Sequence, residues 1–489
     1  MTLKNQVQLI TYPDSMGGDL KALHRVLLDH FSDICTGGVH ILPPFPSSGD
    51  RGFAPLTYLE VDPGFGSWDD IRAIGERFDI LIDLMVNHIS RQSPYFEDFL
   101  AKGRSSAYAD LFLSLDKIWE GGEPVQADID NMFLRRPRPY STYPTGEAGE
   151  EIKVWTTFGK TDPSEQIDLD IRSQRTKQLL TEFFTHFKKQ NIKIVRLDAV
   201  GYVIKKRGTS CFFVEPDIYA FLDWVKEMAD SLGIELLPEV HAHHSTQFKL
   251  AEHGYWIYDF ILPYRVLEAL LRRSSRELYR YLNVRPPKQF TMLDCHDGIP
   301  VKPDLDGLID TREAKELVDL CVERGANLSF IVSDKHKAED GFDVHQIRCS
   351  YYSMLNGDDD AYLAARAIQF FVPGIPQVYY VGLLAGENDF ARVEETGEGR
   401  EINRHNYSLA EIEQALEKKV VQRLLKLIRF RNTYDAFNGE FRMLPSADDE
   451  VRLSWHKEKT SCDLRVDLKT YRAVIQYVDE KNGTIEYTV

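Results

Sequence analysis

With 489 residues, 43% of them hydrophobic, the chain has enough apolar material for a large core and roughly two to four domains. Its formal net charge of −17 argues against nucleic-acid or anionic-membrane partners, while leaving room for a local cluster of cations around a phosphate. Cys35, Cys211, Cys295, Cys321, Cys349 and Cys462 are scattered without a C-x-x-C pair and read as reduced thiols rather than a disulfide framework.

In chain order, Gln6–Ile10 reads as a strand, and Leu20, Leu23, Leu27 and Phe31 recur at helical spacing. Gly38–Leu42 is the next strand, stopped by Pro43-Pro44. Ser67-Trp68-Asp69-Asp70 resembles a capping box opening a helix, and Ile80–Leu84 is a third strand. This β-α-β-α-β order predicts a parallel sheet. From Asn87 to Gln166 the pattern breaks into charge, Pro, Gly and Tyr. The alternation resumes with strands at Ile194–Asp198, Glu235–Glu239, Trp256–Tyr258 and Gln289–Leu293. A second irregular stretch, Gly298–Asn356, precedes an eighth strand at Gly374–Tyr380 and a helix through Leu424, Leu427, Ile428 and Arg431. Eight strand-helix units fit an α/β (β/α)8 TIM barrel. After Asn438-Gly439 the period becomes two, and Lys481-Asn482-Gly483-Thr484 is a hairpin signal, so a small antiparallel β domain ends the chain.

The expected layout is a barrel in three parts (1–86, 168–297, 357–437). It is interrupted by an inserted subdomain (87–167) and a loop-rich subdomain (298–356), and followed by the β domain (438–489). Met1 to Tyr12 lacks the basic-then-apolar layout of an export signal. No run reaches the about 20 apolar residues of a membrane span, so a cytoplasmic protein is expected.

The C-terminal ends of barrel strands carry the active site, and here they are acidic. Strand three gives Asp83 and then Asn87-His88; strand four gives Asp198 two residues after Arg196; strand five gives Glu239; strand seven runs into His296-Asp297. Three carboxylates from three strands suit glycosidic chemistry, in which one acid protonates the leaving oxygen and another attacks the anomeric carbon. His241-Ala242-His243-His244 admits a metal site, but His243 and His244 are adjacent and no second ligand cluster is visible, so no metal is expected. No nucleotide-binding fingerprint occurs.

Asp83-x-x-x-Asn87-His88, Arg196-Leu197-Asp198-Ala199, Glu239 and His296-Asp297 resemble the four motif regions of the α-amylase superfamily of glycoside hydrolases. The runs Leu42–Phe53, Gln166–Asp170, Phe213–Pro216, Gly374–Tyr380 and Gly399–His405 are similar to its sucrose phosphorylase branch, over essentially the whole chain. The resemblance implies Asp198 as nucleophile, Glu239 as acid/base and Asp297 as transition-state stabiliser. Arg196 beside Asp198 favours the carboxylate. By the same resemblance, Asp50 and Arg404 fix the far hydroxyls of the glucosyl unit, His88 and His296 bond others, and Phe53 packs on its apolar face. Tyr202, Gln166 and His241 line the same site.

Phosphate has to outcompete water, which calls for a cationic pocket beside the glucosyl-enzyme. Arg135-Arg136-Pro137-Arg138 supplies three guanidinium groups, and the resemblance places Arg135 at the acceptor site. Gly341–Gln346 looks like the branch's mobile acceptor loop, with Asp343, His345 and Gln346 as contacts and Lys335, His336 and Lys337 just upstream. The branch's sucrose enzymes typically have tyrosine where this chain has His345; with Arg135 and Lys160, the histidine points to a phosphorylated fructosyl unit. The implied reaction is retaining phosphorolysis of sucrose 6'-phosphate through a β-glucosyl-enzyme. Sucrose, or a glucosyl glycerate or glycerol, is the alternative substrate. No cofactor is implied beyond inorganic phosphate as co-substrate, and the partners are small sugars or sugar phosphates.

Overall fold

The computed structural model describes residues 3–146, 150–333, 336–338, 341–479 and 483–489. Met1, Lys335 and the Lys481-Asn482 half of the C-terminal turn lie outside the described residues.

Eight parallel strands are those of a TIM barrel: β1 (Gln8–Thr11), β2 (Gly38–Ile41), β3 (Ile80–Met85), β4 (Ile192–Asp198), β5 (Glu235–Pro238), β6 (Ile257–Asp259), β7 (Gln289–Thr291) and β8 (Ile375–Tyr379). They are buried on both faces, which is why they read as continuous apolar runs rather than as an alternation. Helices follow where the 3.6-residue period predicts them. Leu20–His30 (α1) is capped by the Asp19 side chain, and Trp68–Gly75 (α2) opens with the expected Ser67/Asp70 capping box. Gln174–Lys189 (α3) and Asp217–Leu232 (α4) bury Phe183, Phe184 and Phe187, and Phe221 and Val225.

The chain divides into two compact units. The first comprises Ile41–Val240 and Ile331–Asp343, and holds β3, β4 and β5 in that order. The β3–β4 register sets Asp83 opposite Arg196 and Met85 opposite Asp198. Between β3 and β4, His88–Ser90 pairs antiparallel with Gln166–Asp168, so the segment between them leaves and returns at one place. That segment is less irregular than its composition suggests. It holds the helix Pro94–Lys102 and a hairpin of Tyr140–Pro144 with Glu151–Trp155. It also has its own core, where Trp119 stacks on Trp155 at 5.4 Å beside Leu113, Leu115 and Met132.

The second unit comprises Thr2–His40, His241–Phe330 and Val344–Val489, and holds strands in the order β6-β7-β8-β1-β2. Within it, Thr311–Glu323 (α5) is capped by Asp310 and buries Ala314, Leu317, Val318 and Cys321, a spacing present in the sequence. The expected acceptor loop is partly strand. Val344–Arg348 lies between Ile299–Pro300 and Asn327–Phe330, so its backbone groups are paired on both sides. The chain ends in the antiparallel meander β9 (Glu440–Met443), β10 (Glu450–Lys457), β11 (Thr460–Asp467), β12 (Ala473–Asp479) and β13 (Gly483–Thr488). Burial alternates along β10, as the period of two requires. The cysteines are free thiols.

Candidate active site

In the first unit, one guanidinium gathers the acidic strand ends. Arg196 on β4 is buried and pairs with the fully buried Asp83 on β3. Its Nη1 also lies 3.0 Å from Asp198 Oδ1, and its Nη2 lies 2.6 Å from Glu239 Oε1. Glu239 follows β5 directly and is anchored by its N–H, which donates to the Leu197 carbonyl at 3.1 Å. Arg196 therefore serves Glu239 and Asp83 as well as the Asp198 that the sequence placed beside it. Even with Glu239 protonated, Asp83 and Asp198 against one cation leave net negative charge, which favours a positive transition state. Phe53 lies with its ring centre 5.9 Å from this guanidinium. It follows Asp50, Arg51 and Gly52, all at positive φ (47°, 48° and 102°). At Gly52 an added Cβ would sit 2.4 Å from the Pro43 carbonyl oxygen, so only glycine allows this approach.

After Asp198 the chain turns sharply at Ala199 (φ 55°), bringing Tyr202 into an aromatic group with Phe158 (4.9 Å) and Phe212 (4.7 Å). Lys205, which the sequence did not single out, is the hub below them. Its Nζ lies 2.6 Å from Asn87 Oδ1 and 2.6 Å from Asp168 Oδ2, and it also donates to the Tyr202 carbonyl. Asn87 Nδ2 in turn lies 3.4 Å from His88 Nδ1, and His88 Nε2 lies 3.0 Å from the Phe53 carbonyl. Gln166 Nε2 donates to that same carbonyl at 3.1 Å, and Gln166 Oε1 has no hydrogen-bond partner among the described residues. Burial holds the His88 pKa below the ordinary histidine range.

The arginine cluster divides. Arg136 is buried on Ser141 (3.2 Å), Thr156 (3.0 Å) and the Thr161 carbonyl (3.0 Å), and Arg138 is exposed and paired with Asp162 at 2.7 Å. Arg135 is half-buried beside a small cleft lined by Phe133, Tyr202 and Ser210. Lys160 is exposed, and its backbone N–H donates to the Glu165 carboxylate at 2.9 Å. Asp343 Oδ1 accepts from the Ala338 N–H at 2.6 Å, so this side chain braces its own segment.

In the second unit, Asp297 lies 3.9 Å from both the Arg400 and the Arg404 guanidinium groups and 3.6 Å from His296 Nε2. Burial opposes its charge, but these neighbours and His241 outweigh burial and hold the carboxyl well below the ordinary carboxylate range. Arg404 is itself fixed, its Nε donating to the His296 carbonyl at 3.0 Å over the Tyr12 ring. Asn403 Nδ2 donates to the carbonyls of Cys295 (3.0 Å) and Asp297 (3.2 Å). His241 stacks on Phe260 at 4.1 Å, with Nδ1 3.3 Å from Asp304. His345 is buried, 5.9 Å edge-on to His241, and its Nδ1 donates to the Lys302 carbonyl at 2.6 Å. Gln346 is buried in the strand between Pro300 and Ser329. His243 and His244 serve local structure: His243 caps the following helix through the Ser245 N–H, and His244 Nδ1 meets the Asp306 carbonyl at 3.0 Å. Among the described residues no helix is long and apolar enough to cross a membrane.

The family model for the alpha amylase catalytic domain matches residues 6–261. Across 489 residues, all of both chains, the sequence is 67% identical to a sucrose 6(F)-phosphate phosphorylase of Thermoanaerobacterium thermosaccharolyticum. It is 44% identical over 483 residues to a glucosylglycerol phosphorylase of Marinobacter adhaerens, covering 99% of this chain and 98% of that one. The crystal structure of sucrose 6F-phosphate phosphorylase from Thermoanaerobacter thermosaccharolyticum superposes with a TM-score of 0.99 at 67% identity, covering 100% of this chain and 99% of that one.

Proposed function

The chain is an enzyme of the α-amylase family, similar over its full length to phosphorylases, and from that premise we propose that it converts sucrose 6'-phosphate and phosphate to α-glucose 1-phosphate and fructose 6-phosphate with retention. Asp198 attacks the anomeric carbon as the bond to the fructosyl oxygen breaks, and Glu239 gives that oxygen a proton. Phosphate then attacks the same carbon, Asp198 departs, and Glu239 takes the phosphate proton. Asp297, kept anionic by its cations, supports the oxocarbenium-like charge.

The observation that carries this reading is the single guanidinium holding both Asp198 (3.0 Å) and Glu239 (2.6 Å). Two carboxylates tied to one side chain suit the close spacing, about 5–5.5 Å, of a retaining pair. Phe53, Gln166, Tyr202, His88, His241, His296, Arg404 and Asp50 bind the glucosyl unit; the buried Gln166 Oε1 suits a hydroxyl donor. Arg135 of segment 87–167 and His345 of segment 298–356 bind the phosphoryl groups, with Asp343, Gln346 and Lys160 as further acceptor-site residues. Phosphate is the co-substrate, and no cofactor takes part.

The test is glucose 1-phosphate release with inorganic phosphate, comparing sucrose 6'-phosphate, sucrose and glucosylglycerol at matched concentrations. A strong preference for the phosphorylated sugar is expected. Equal or better turnover of sucrose or glucosylglycerol would remove the substrate assignment and leave a phosphorylase of that other sugar.

A further inference from the structure

We propose that Lys205 is a positioning residue for glucosyl binding, its ammonium acting as a built-in cation that locks together the three segments bearing His88, Gln166 and Tyr202; this rests on the glucosyl-site reading above.

An ammonium has three N–H donors and no acceptor. Lys205 Nζ meets three oxygens of three kinds: the Asn87 side-chain carbonyl and the Asp168 carboxylate, both at 2.6 Å, and the Tyr202 backbone carbonyl. Donors and acceptors match in number. The side chain is 2% exposed and Asp168 is fully buried, so water does not compete for them. Asn87 follows β3, Asp168 closes the strand that starts at Gln166, and Tyr202 lies on the turn after β4.

The consequence runs through hydrogen-bond polarity. Because Lys205 donates to Asn87 Oδ1, the Asn87 amide directs Nδ2 at His88 Nδ1. His88 Nδ1 must then accept, so Nε2 carries the proton and donates to the Phe53 carbonyl. One ammonium thereby sets an amide orientation, a histidine tautomer and the carbonyl anchor of Phe53. Without it, Asn87 loses its reason to face either way.

The structure also offers a way to test this chemically. Lys205 is among the residues lining an open pocket of about 570 Å³, with Ile171, Val203, Ile204, Phe221 and Trp224. Truncating the stem joins the oxygen cage to that pocket, and a small alkylammonium ion can enter and replace the missing head.

Lys205→Ala is expected to raise the KM for the α-glucosyl donor on the order of tenfold or more, with a smaller change in kcat, because the Arg196 cluster is untouched. Propylammonium chloride should restore KM saturably, whereas potassium chloride at equal ionic strength should not. Lys205→Met, which fills the stem's space without charge, should stay impaired with the amine present. Should Lys205→Ala fail to fold, Asn87→Asp keeps an acceptor for Lys205 but removes the donor to His88, and should show the same rise in KM. A wild-type KM in the folded variant overturns the proposal, as does amine rescue of thermal stability without rescue of KM. The variants are assayed with whichever α-glucoside the wild type turns over, so a wrong substrate assignment is distinguishable from a wrong role for Lys205.

Discussion

His345 Nδ1 lies 2.6 Å from the carbonyl oxygen of Lys302. A carbonyl only accepts, so Nδ1 carries a proton, and in the neutral ring Nε2 is left as an acceptor. Such a ring recognises a hydroxyl; recognising a phosphoryl oxygen requires the imidazolium. The preference for sucrose 6'-phosphate over sucrose, measured as a ratio of kcat/KM at one pH, should fall in His345→Gln, which keeps polarity at this position but cannot become a cation. An unchanged ratio would remove His345 from phosphoryl recognition.

Arg135 is half-buried beside the cleft lined by Phe133, Tyr202 and Ser210, whereas Arg136 is held by Ser141 and Thr156 and Arg138 pairs with Asp162. Arg135→Ala should raise the KM for phosphate by roughly 10- to 150-fold, the equivalent of one charge-assisted hydrogen bond of about 1.5–3 kcal/mol. Stability should change little, and hydrolysis of the glucosyl-enzyme should gain on phosphorolysis. Arg136→Ala should behave oppositely, unfolding the segment before it alters phosphate binding. Initial rates over a phosphate series, with melting temperatures alongside, separate the two.

Asp198→Ala should lower turnover on the order of a thousandfold or more, as loss of a nucleophile does. Glu239→Gln should lose phosphorolysis of the sugar phosphate but keep the first step with α-glucosyl fluoride, whose leaving group needs no proton. Rapid-quench detection of fluoride release checks this. Unchanged phosphorolysis in Glu239→Gln would move the acid role elsewhere.

His88 supplies a stability prediction with a definite sign. Burial depresses its folded-state pKa below the ordinary value. Above about pH 6.5 the ring is neutral in both states and costs nothing. As pH falls below that value the unfolded chain takes up the proton first, so stability falls, by at most about 1.4 kcal/mol per pH unit, until the folded pKa is reached. His88→Asn should flatten that part of a melting-temperature profile. An unchanged acid slope would place the titration on another group.

The barrel was legible because strands buried on both faces must be apolar throughout, as Ile80–Met85 shows. The acidic strand ends were legible because carboxylates are out of place in such runs. Lys205 was not: Lys205-Lys206 reads as a solvated pair, and only the fold sends one inward to Asp168 and leaves the other on exposed Asp217. Nor does sequence distinguish Arg135 from Arg136, since the partners of Arg136 are Ser141, in a short polar strand that ends in proline, and Thr156, just past the strand it pairs with. The helix Thr311–Glu323 was within reach, its cap and apolar spacing both present in a stretch read as irregular.

The stacked indoles of Trp119 and Trp155, 11° from coplanar at 5.4 Å, give the molecule an optical reporter of its own. Transitions of two rings this close couple, and among the described residues of this small core Trp119 and Trp155 are its two tryptophans, so a coupled indole signal in circular dichroism should report on this core. Met132, three residues before Arg135, packs in that same core, and the Lys205 ammonium lies 5.8 Å from the centre of the Trp155 ring. Rearrangement of either cation's surroundings during the reaction cycle is therefore visible as a spectral change, without a label and without any turnover assay.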